Sequence, residues 1–171
     1  EYASSCVGRE RVFTHFANLN QTPTLLFRLN YACELRYGVL VDIATRVRAD
    51  EAIDLTTGLV NLIWQTDAVA IAIRSLDIAA TPPTPLNVTG TDQISVRAVA
   101  EAFGRRFHRE PVFVGEQAPT AWLADARHAA SLFGPPPHSL DWMIDTVATY
   151  LEGNGTLLGK PTHFETRDGK F

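Results

Sequence analysis

Tyr2, Cys6 and Glu10 stand four residues apart, a spacing that puts all three side chains on one face of an α-helix. A tyrosine with a suitable partner one turn further on can do acid–base chemistry on alcohols and carbonyls, its oxygen taking or returning the hydroxyl proton. A free phenol titrates near pH ~10, roughly three units too high for a good base near neutrality. Closing that gap takes about 4 kcal/mol. One ammonium ~4 Å away supplies about that much at an effective dielectric of about 20. The chemistry therefore asks for lysine at position 6, where this chain has cysteine. A neutral thiol brings no full positive charge, and a thiolate would push the phenol upward. Arg9 lies seven residues on from Tyr2, on the same face, and helical side chains lean toward the amino end. Its guanidinium is a candidate stand-in cation. The bland alternative also stays open: Cys6 as a small apolar side chain against the core.

The elements that must position these residues can be read from pattern. Residues 3 to about 19 form a helix with Val12, Phe13, Phe16 and Leu19 as its apolar face. "TLLFRLNYA" reads as a nearly continuous apolar strand, the kind covered on both faces in a parallel sheet. "YGVLVDIATRVRA" is a second helix, and "EAIDLTTGLVNLIW" two short strands on either side of Thr57-Gly58. Asp67 is placed to cap "AVAIAIRSL", and Ser95 to cap "VRAVAEAFGRRF". "PLNVTG" and "PVFVG" are strands; "WLADARHAASLFG" is a helix closed by Gly134, and Ser139 opens a last helix carrying Leu140, Ile144, Val147 and Leu151. Strands alternate with helices along most of the length, so the fold class is α/β. The expected organisation is one domain over residues 1–153 and a loose polar, Gly-rich tail over 154–171.

Composition narrows the function. The 171 residues are 46% hydrophobic with a net charge of −4, which suits a packed globular domain and gives no sign of nucleic-acid binding. Two cysteines without a CxxC pair fit a reduced, cytoplasmic setting and argue against a disulfide framework or a structural zinc site. No apolar run approaches the ~20 residues of a membrane span. The chain opens inside a helix without an initiator methionine or a signal peptide, so a longer natural chain is expected upstream.

The segment Tyr2-Ala-Ser-Ser-Cys6-Val-Gly-Arg-Glu10 resembles the Tyr-x-x-Ser-Lys-x-x-x-Glu segment of the extended short-chain dehydrogenase/reductase family, the NAD-dependent epimerases and dehydratases. Tyr2, Ser5 and Glu10 fall on that pattern, and Cys6 falls in the lysine slot. "TPTLLFRLNYA" is similar to the family's strand ending in Arg-x-x-Asn-x-Tyr-Gly-Pro, with Asn30 one place early and no Gly-Pro after it. "VNLIWQTDAVAIAIRSL", "PLNVTGTDQISVRAVAEAF" and "LADARHAASLFGPPPHSLDWMIDTVATYL" resemble the family's later segments in order and spacing, with Arg127 near a lysine position.

The resemblance covers residues 2–151 and implies the carboxyl part of a Rossmann-like sheet with a small α+β substrate lobe. It implies NAD or NADP as cofactor, with the phosphate-binding half absent from this chain, and hydride exchange with a sugar nucleotide or similar hydroxyl or carbonyl substrate. Tyr2 takes the catalytic position, with Cys6 beside it. Arg28, Asn30 and Tyr31 are placed toward the cofactor, and Arg36 and Tyr37 toward the substrate. A homodimer through the Tyr2-bearing helix is implied as well. The glycines of Gly153-Asn-Gly155-Thr-Leu-Leu-Gly159 mimic a nucleotide fingerprint but follow a helix, with no strand before them.

On this reading the chain alone is expected to be inactive. The alternative is a non-catalytic, nucleotide-sensing or scaffold relative that kept the fold and lost the proton-transfer pair. His15, His108, His128, His138 and His163 lack ligand spacing and read as surface residues. Trp64, Trp122 and Trp142 read as packing residues.

Overall fold

A computed structural model of the chain describes residues 2–167. The first helix, α1 (Tyr2–Asn20), forms where the sequence places it, but its apolar face does not pack inward. Val12, Phe13, Phe16 and Leu19 are all more than half exposed, and Ala17 is the residue α1 buries.

Strand β1 (Leu25–Leu29) likewise departs from expectation. It pairs in parallel with β6 (Thr84–Val88), Leu25 opposite Thr84 through Leu29 opposite Val88. Its other edge carries no strand among the described residues. Leu25 and Phe27 pack with Leu86 and Val88 against Ala68 and Ile71 of α3 (Gln65–Arg74) and Ala129 of α5 (Arg127–Phe133). This is the smaller of two cores.

The larger core belongs to the lobe. Helices α2 (Val39–Arg48), α4 (Val96–Phe107) and α6 (Leu140–Glu152) pack together through Leu40, Ile43, Val47, Val99, Phe103, Ile144 and Val147. Each of these helices has a local reason to start where it does. Ser95 accepts a hydrogen bond from the Ala98 N–H at 3.3 Å, and Ser139 one from the Trp142 N–H at 3.2 Å, satisfying first-turn donors. Gly38 precedes α2 at φ 130°, and a Cβ there would come within 3.0 Å of the Cys33 Cα, so the position admits glycine alone.

The short strands pair non-locally. β2 (Ala32–Cys33) runs parallel to β5 (Ile63–Trp64), and β3 (Ile53–Asp54) parallel to β8 (Phe113–Val114). β4 (Leu59–Val60) lies antiparallel to β7 (Ile94–Ser95). The strands flanking Thr57-Gly58 thus do not pair with each other.

Three further expectations are corrected. Helix α3 begins at Gln65, so Asp67 sits inside its first turn rather than at its cap. Helix α5 begins at Arg127 rather than near Trp122. The Ala124 N–H is drawn to the Asn61 side-chain oxygen at 2.8 Å, and Asp125 turns back to accept the Arg127 N–H at 3.0 Å. Finally, residues 154–167 are docked, not loose. Phe164 is 2% exposed within the larger core. The Thr162 N–H and hydroxyl both donate to Asp42, at 2.7 and 2.6 Å. Glu165 pairs with Arg46, and Arg167 donates to Thr120. A polar, Gly-containing segment is held because one aromatic ring is buried and its flanking polar groups find partners. Residues 168–171 of the expected tail lie outside the described residues.

Candidate active site

Tyr2 occupies the first turn of α1 with its side chain largely in solvent, and Cys6 lies one turn further on, half-buried. Hydrogen bonding with Cys6 is the main influence on the phenol: it stabilises the protonated form and pushes Tyr2 above its ordinary range. The charge of Cys6, partial desolvation and Tyr37 push in the same direction, while Arg9 opposes them. Arg9 is thus close enough to act on Tyr2, but the net shift is upward. Ser5 donates to the Tyr2 carbonyl at 2.7 Å, a local contact within the first turn.

The structure gathers Tyr2, Cys6, Arg9 and Tyr37 in one neighbourhood. The remaining candidates are placed differently. Arg28 is engaged by Glu10 through two parallel hydrogen bonds of 2.7 and 2.6 Å, which tie β1 to α1. That fork holds Glu10 below the usual carboxylate range and Arg28 above its own. Asn30 follows β1 and extends its ladder, donating its N–H to Val88 at 3.1 Å, while its side-chain Nδ2 is buried and meets no partner among the described residues. Tyr31 has a positive φ of 40° and packs its ring against the larger core. Burial and then the negative charge of Glu165 push its phenol upward. Arg36 pairs with Glu34 at 3.2 Å, and its carbonyl accepts the Leu158 N–H. Arg36 therefore meets the docked carboxyl-terminal segment and Tyr31 senses its charge at Glu165, whereas Tyr37 lies within electrostatic reach of Tyr2.

One constellation had no sequence signal. Asp67, buried at the start of α3, accepts the His138 backbone N–H at 3.2 Å and faces the His138 Nδ1 at 2.7 Å. A carboxylate at that distance requires the proton on Nδ1. The imidazole lies 4.1 Å from the Trp142 ring, which meets Trp64 edge-on at 5.3 Å. His138 is thus half-buried and committed, unlike the other four histidines, which are exposed. Trp64 is buried as expected of a packing residue, while Trp122 and Trp142 remain 57% and 41% exposed. Seventy-one positions separate His138 from Asp67, and neither residue type at its position announces the other. Asp125 and Arg127 pair with each other at the surface at 2.6 Å, which draws the Asp125 carboxyl down to about 2. Among the described residues no three metal-ligating side chains converge, and no helix is long and apolar enough to cross a membrane.

No model of a known protein family matches the sequence, and no curated protein matches it. The fold does match solved structures. The mixed α/β arrangement with parallel strands is that of the carboxyl-terminal part of the Rossmann-like epimerase fold. The matching structures include UDP-glucose 4-epimerase of Thermotoga maritima solved with UDP-glucose, with a TM-score of 0.71 at 14% identity over 86% of this chain and 52% of that one. They also include UDP-glucuronic acid 4-epimerase of Bacillus cereus in complex with NAD, with a TM-score of 0.69 at 14% identity over 85% and 50% of the two chains. A third is dTDP-glucose 4,6-dehydratase of Bacillus anthracis in complex with NAD, with a TM-score of 0.72 at 14% identity over 90% and 52%. At this identity the likeness is one of fold, and the chain spans about half the length of these structures.

Proposed function

We propose that this chain is the carboxyl-terminal portion of an NAD(P)-dependent epimerase/dehydratase-type oxidoreductase acting on a sugar nucleotide or a similar hydroxyl or carbonyl substrate. The observation that carries the reading is the position of Tyr2. It heads the helix that precedes a parallel strand pair in an epimerase-type fold, with Tyr37 within electrostatic reach and a buried, unsatisfied Asn30 amide at the end of that strand. An unpaired buried donor is costly unless something supplies an acceptor, so Asn30 suits a ribose or amide oxygen of a nicotinamide cofactor. When bound, that cofactor supplies hydride exchange at the hydroxyl-bearing carbon. The chain's own part is to hold the substrate hydroxyl and move its proton at the Tyr2 oxygen, with Tyr37 on the substrate side.

Cys6 is where the residues fit such a site least well, because it favours the protonated phenol instead of the phenolate. That feature supports a second reading, a nucleotide-sensing or scaffold relative without turnover. Two free cysteines accord with a reducing, cytoplasmic setting, and a homodimer through α1 accords with its exposed apolar face. The native protein, supplied with NAD or NADP and a panel of UDP- and dTDP-sugars, is expected to convert one of them, with Tyr2→Phe lowering the rate by roughly 100-fold or more. Cofactor binding without conversion would establish the second reading. Failure to bind either dinucleotide would overturn both.

A further inference from the structure

Open α/β sheets bind ligands outside the carboxyl ends of their parallel strands. In this chain those ends lead into Asn30 and Tyr31 after β1, into residues 55–58 after β3, and into residues 115–126 after β8. The last two loops are tied to each other, the Ala118 N–H donating to the Thr56 carbonyl at 3.1 Å. The end of the docked carboxyl-terminal segment, residues 165–167, reaches all three. The Glu165 carbonyl accepts the hydroxyl of the fully buried Thr57 at 3.4 Å. Arg167 donates to the Thr120 carbonyl at 3.0 Å and to the Thr120 hydroxyl at 2.6 Å. The Glu165 carboxylate acts on Tyr31, whose phenol is pushed upward by burial and then by that charge.

The hold on this end is uneven. Phe164 is enclosed in the larger core, and just before it Thr162 donates twice to Asp42. Past Phe164 the contacts are polar and few. Glu165 Oε1 pairs with Arg46, but its Oε2 is buried and meets no partner among the described residues. A buried acceptor without a donor is costly. Burial first, and the Glu165 charge as well, push the Asp42 carboxyl upward, so two carboxylates share Arg46. Lifting residues 165–167 returns Oε2 to water and leaves the Phe164 anchor seated. A segment held firmly on one side of a residue and loosely on the other turns at that residue.

We infer that residues 165–167 form a lid, turning about Phe164, that a nucleoside diphosphate must lift to reach Tyr31, Thr57 and the loop after β8. This rests on the proposed function for the class of ligand, and adds a device within the chain that limits its access. Only the lifted state binds, so loosening the lid tightens the apparent affinity. In the native protein, Arg167→Ala is expected to tighten binding of UDP or dTDP about fivefold in calorimetry. Either nucleotide is expected to speed tryptic cleavage after Arg167 about tenfold. The Thr162 amide, on the anchored side of Phe164, should keep its protection from hydrogen exchange meanwhile. Cleavage that both nucleotides slow or leave unchanged would overturn the inference, since the segment's end would then be a fixed wall. Equal or weaker nucleotide affinity in Arg167→Ala would overturn it too. So would loss of Thr162 protection, which would mean that the whole segment undocks, or no binding of either nucleotide by wild type and variant alike. Conversion of a sugar nucleotide by a protein whose Arg167 stays protected would sink the lid and leave the proposed function standing. Nucleotide-driven cleavage in a protein that binds neither NAD nor NADP would do the reverse.

Discussion

Replacing Cys6 with lysine tests the electrostatics of Tyr2 directly. Residues four apart on a helix bring their side chains close enough for an ammonium to approach the phenol to ~4 Å. At that distance the attraction for a phenolate is about 1 kcal/mol in a water-like medium and about 4 kcal/mol at an effective dielectric of about 20. Tyr2 is 63% exposed in this chain, so the smaller figure governs. Cys6→Lys is expected to lower the Tyr2 pKa by roughly one unit, counting both the new charge and the loss of the Cys6 hydrogen bond that now raises it. Covering the α1 face should move the effect toward roughly three units, because water no longer screens the pair. The measurement is a ¹³Cζ-tyrosine NMR titration, with Tyr31, Tyr37 and Tyr150 as internal references and Tyr2→Phe to assign the signal. The shift should shrink in 1 M salt, where the screening length falls to about 3 Å. A Tyr2 signal that stays put or rises in Cys6→Lys would refute the reasoning, since residue 6 would then not address the phenol. A wild-type Tyr2 titrating near neutrality would refute it from the other side.

Two further predictions concern the frame that holds this site. Phe164→Ala, which empties a fully enclosed ring position in the larger core, is expected to cost about 3–5 kcal/mol, read as a lower urea midpoint; a change under about 1 kcal/mol would mean the carboxyl-terminal segment is not anchored there. The Glu10–Arg28 fork holds the Glu10 carboxyl below its ordinary value, so its stabilisation is present above the unfolded-state pKa and lost as pH falls through the folded one. Both groups reach solvent, so the contribution is at most about 1 kcal/mol. Glu10→Gln should flatten the stability profile below about pH 4.5 and leave it unchanged at pH 7 apart from that small offset.

What could be read in advance was local. The periodicity of Val96, Val99, Ala100 and Phe103 marked α4, and the serines at 95 and 139 marked helix starts, because a cap depends only on residues within one turn. The alignment of Tyr2 with Cys6 was legible for the same reason. The pairing of the two-residue strands was not: β3 meets β8 across some sixty positions, and so few side chains carry no register signal. Asp67 looked like a helix cap because aspartates often are, yet its carboxylate answers to His138 from a distant loop. The segment after Gly153 looked loose from its glycines and polar residues, and the burial of one ring decided otherwise. The face of α1 was correctly seen as apolar, but periodicity says which residues share a side and is silent on whether this chain supplies what covers them.

The carboxylate of Asp67 on α3, in the sheet's core, holds His138, whose ring packs on Trp142 of α6 in the lobe's, adding a side-chain link beside the β2–β5 pair that already joins the two cores. A fastener at that joint removes hinge freedom between them.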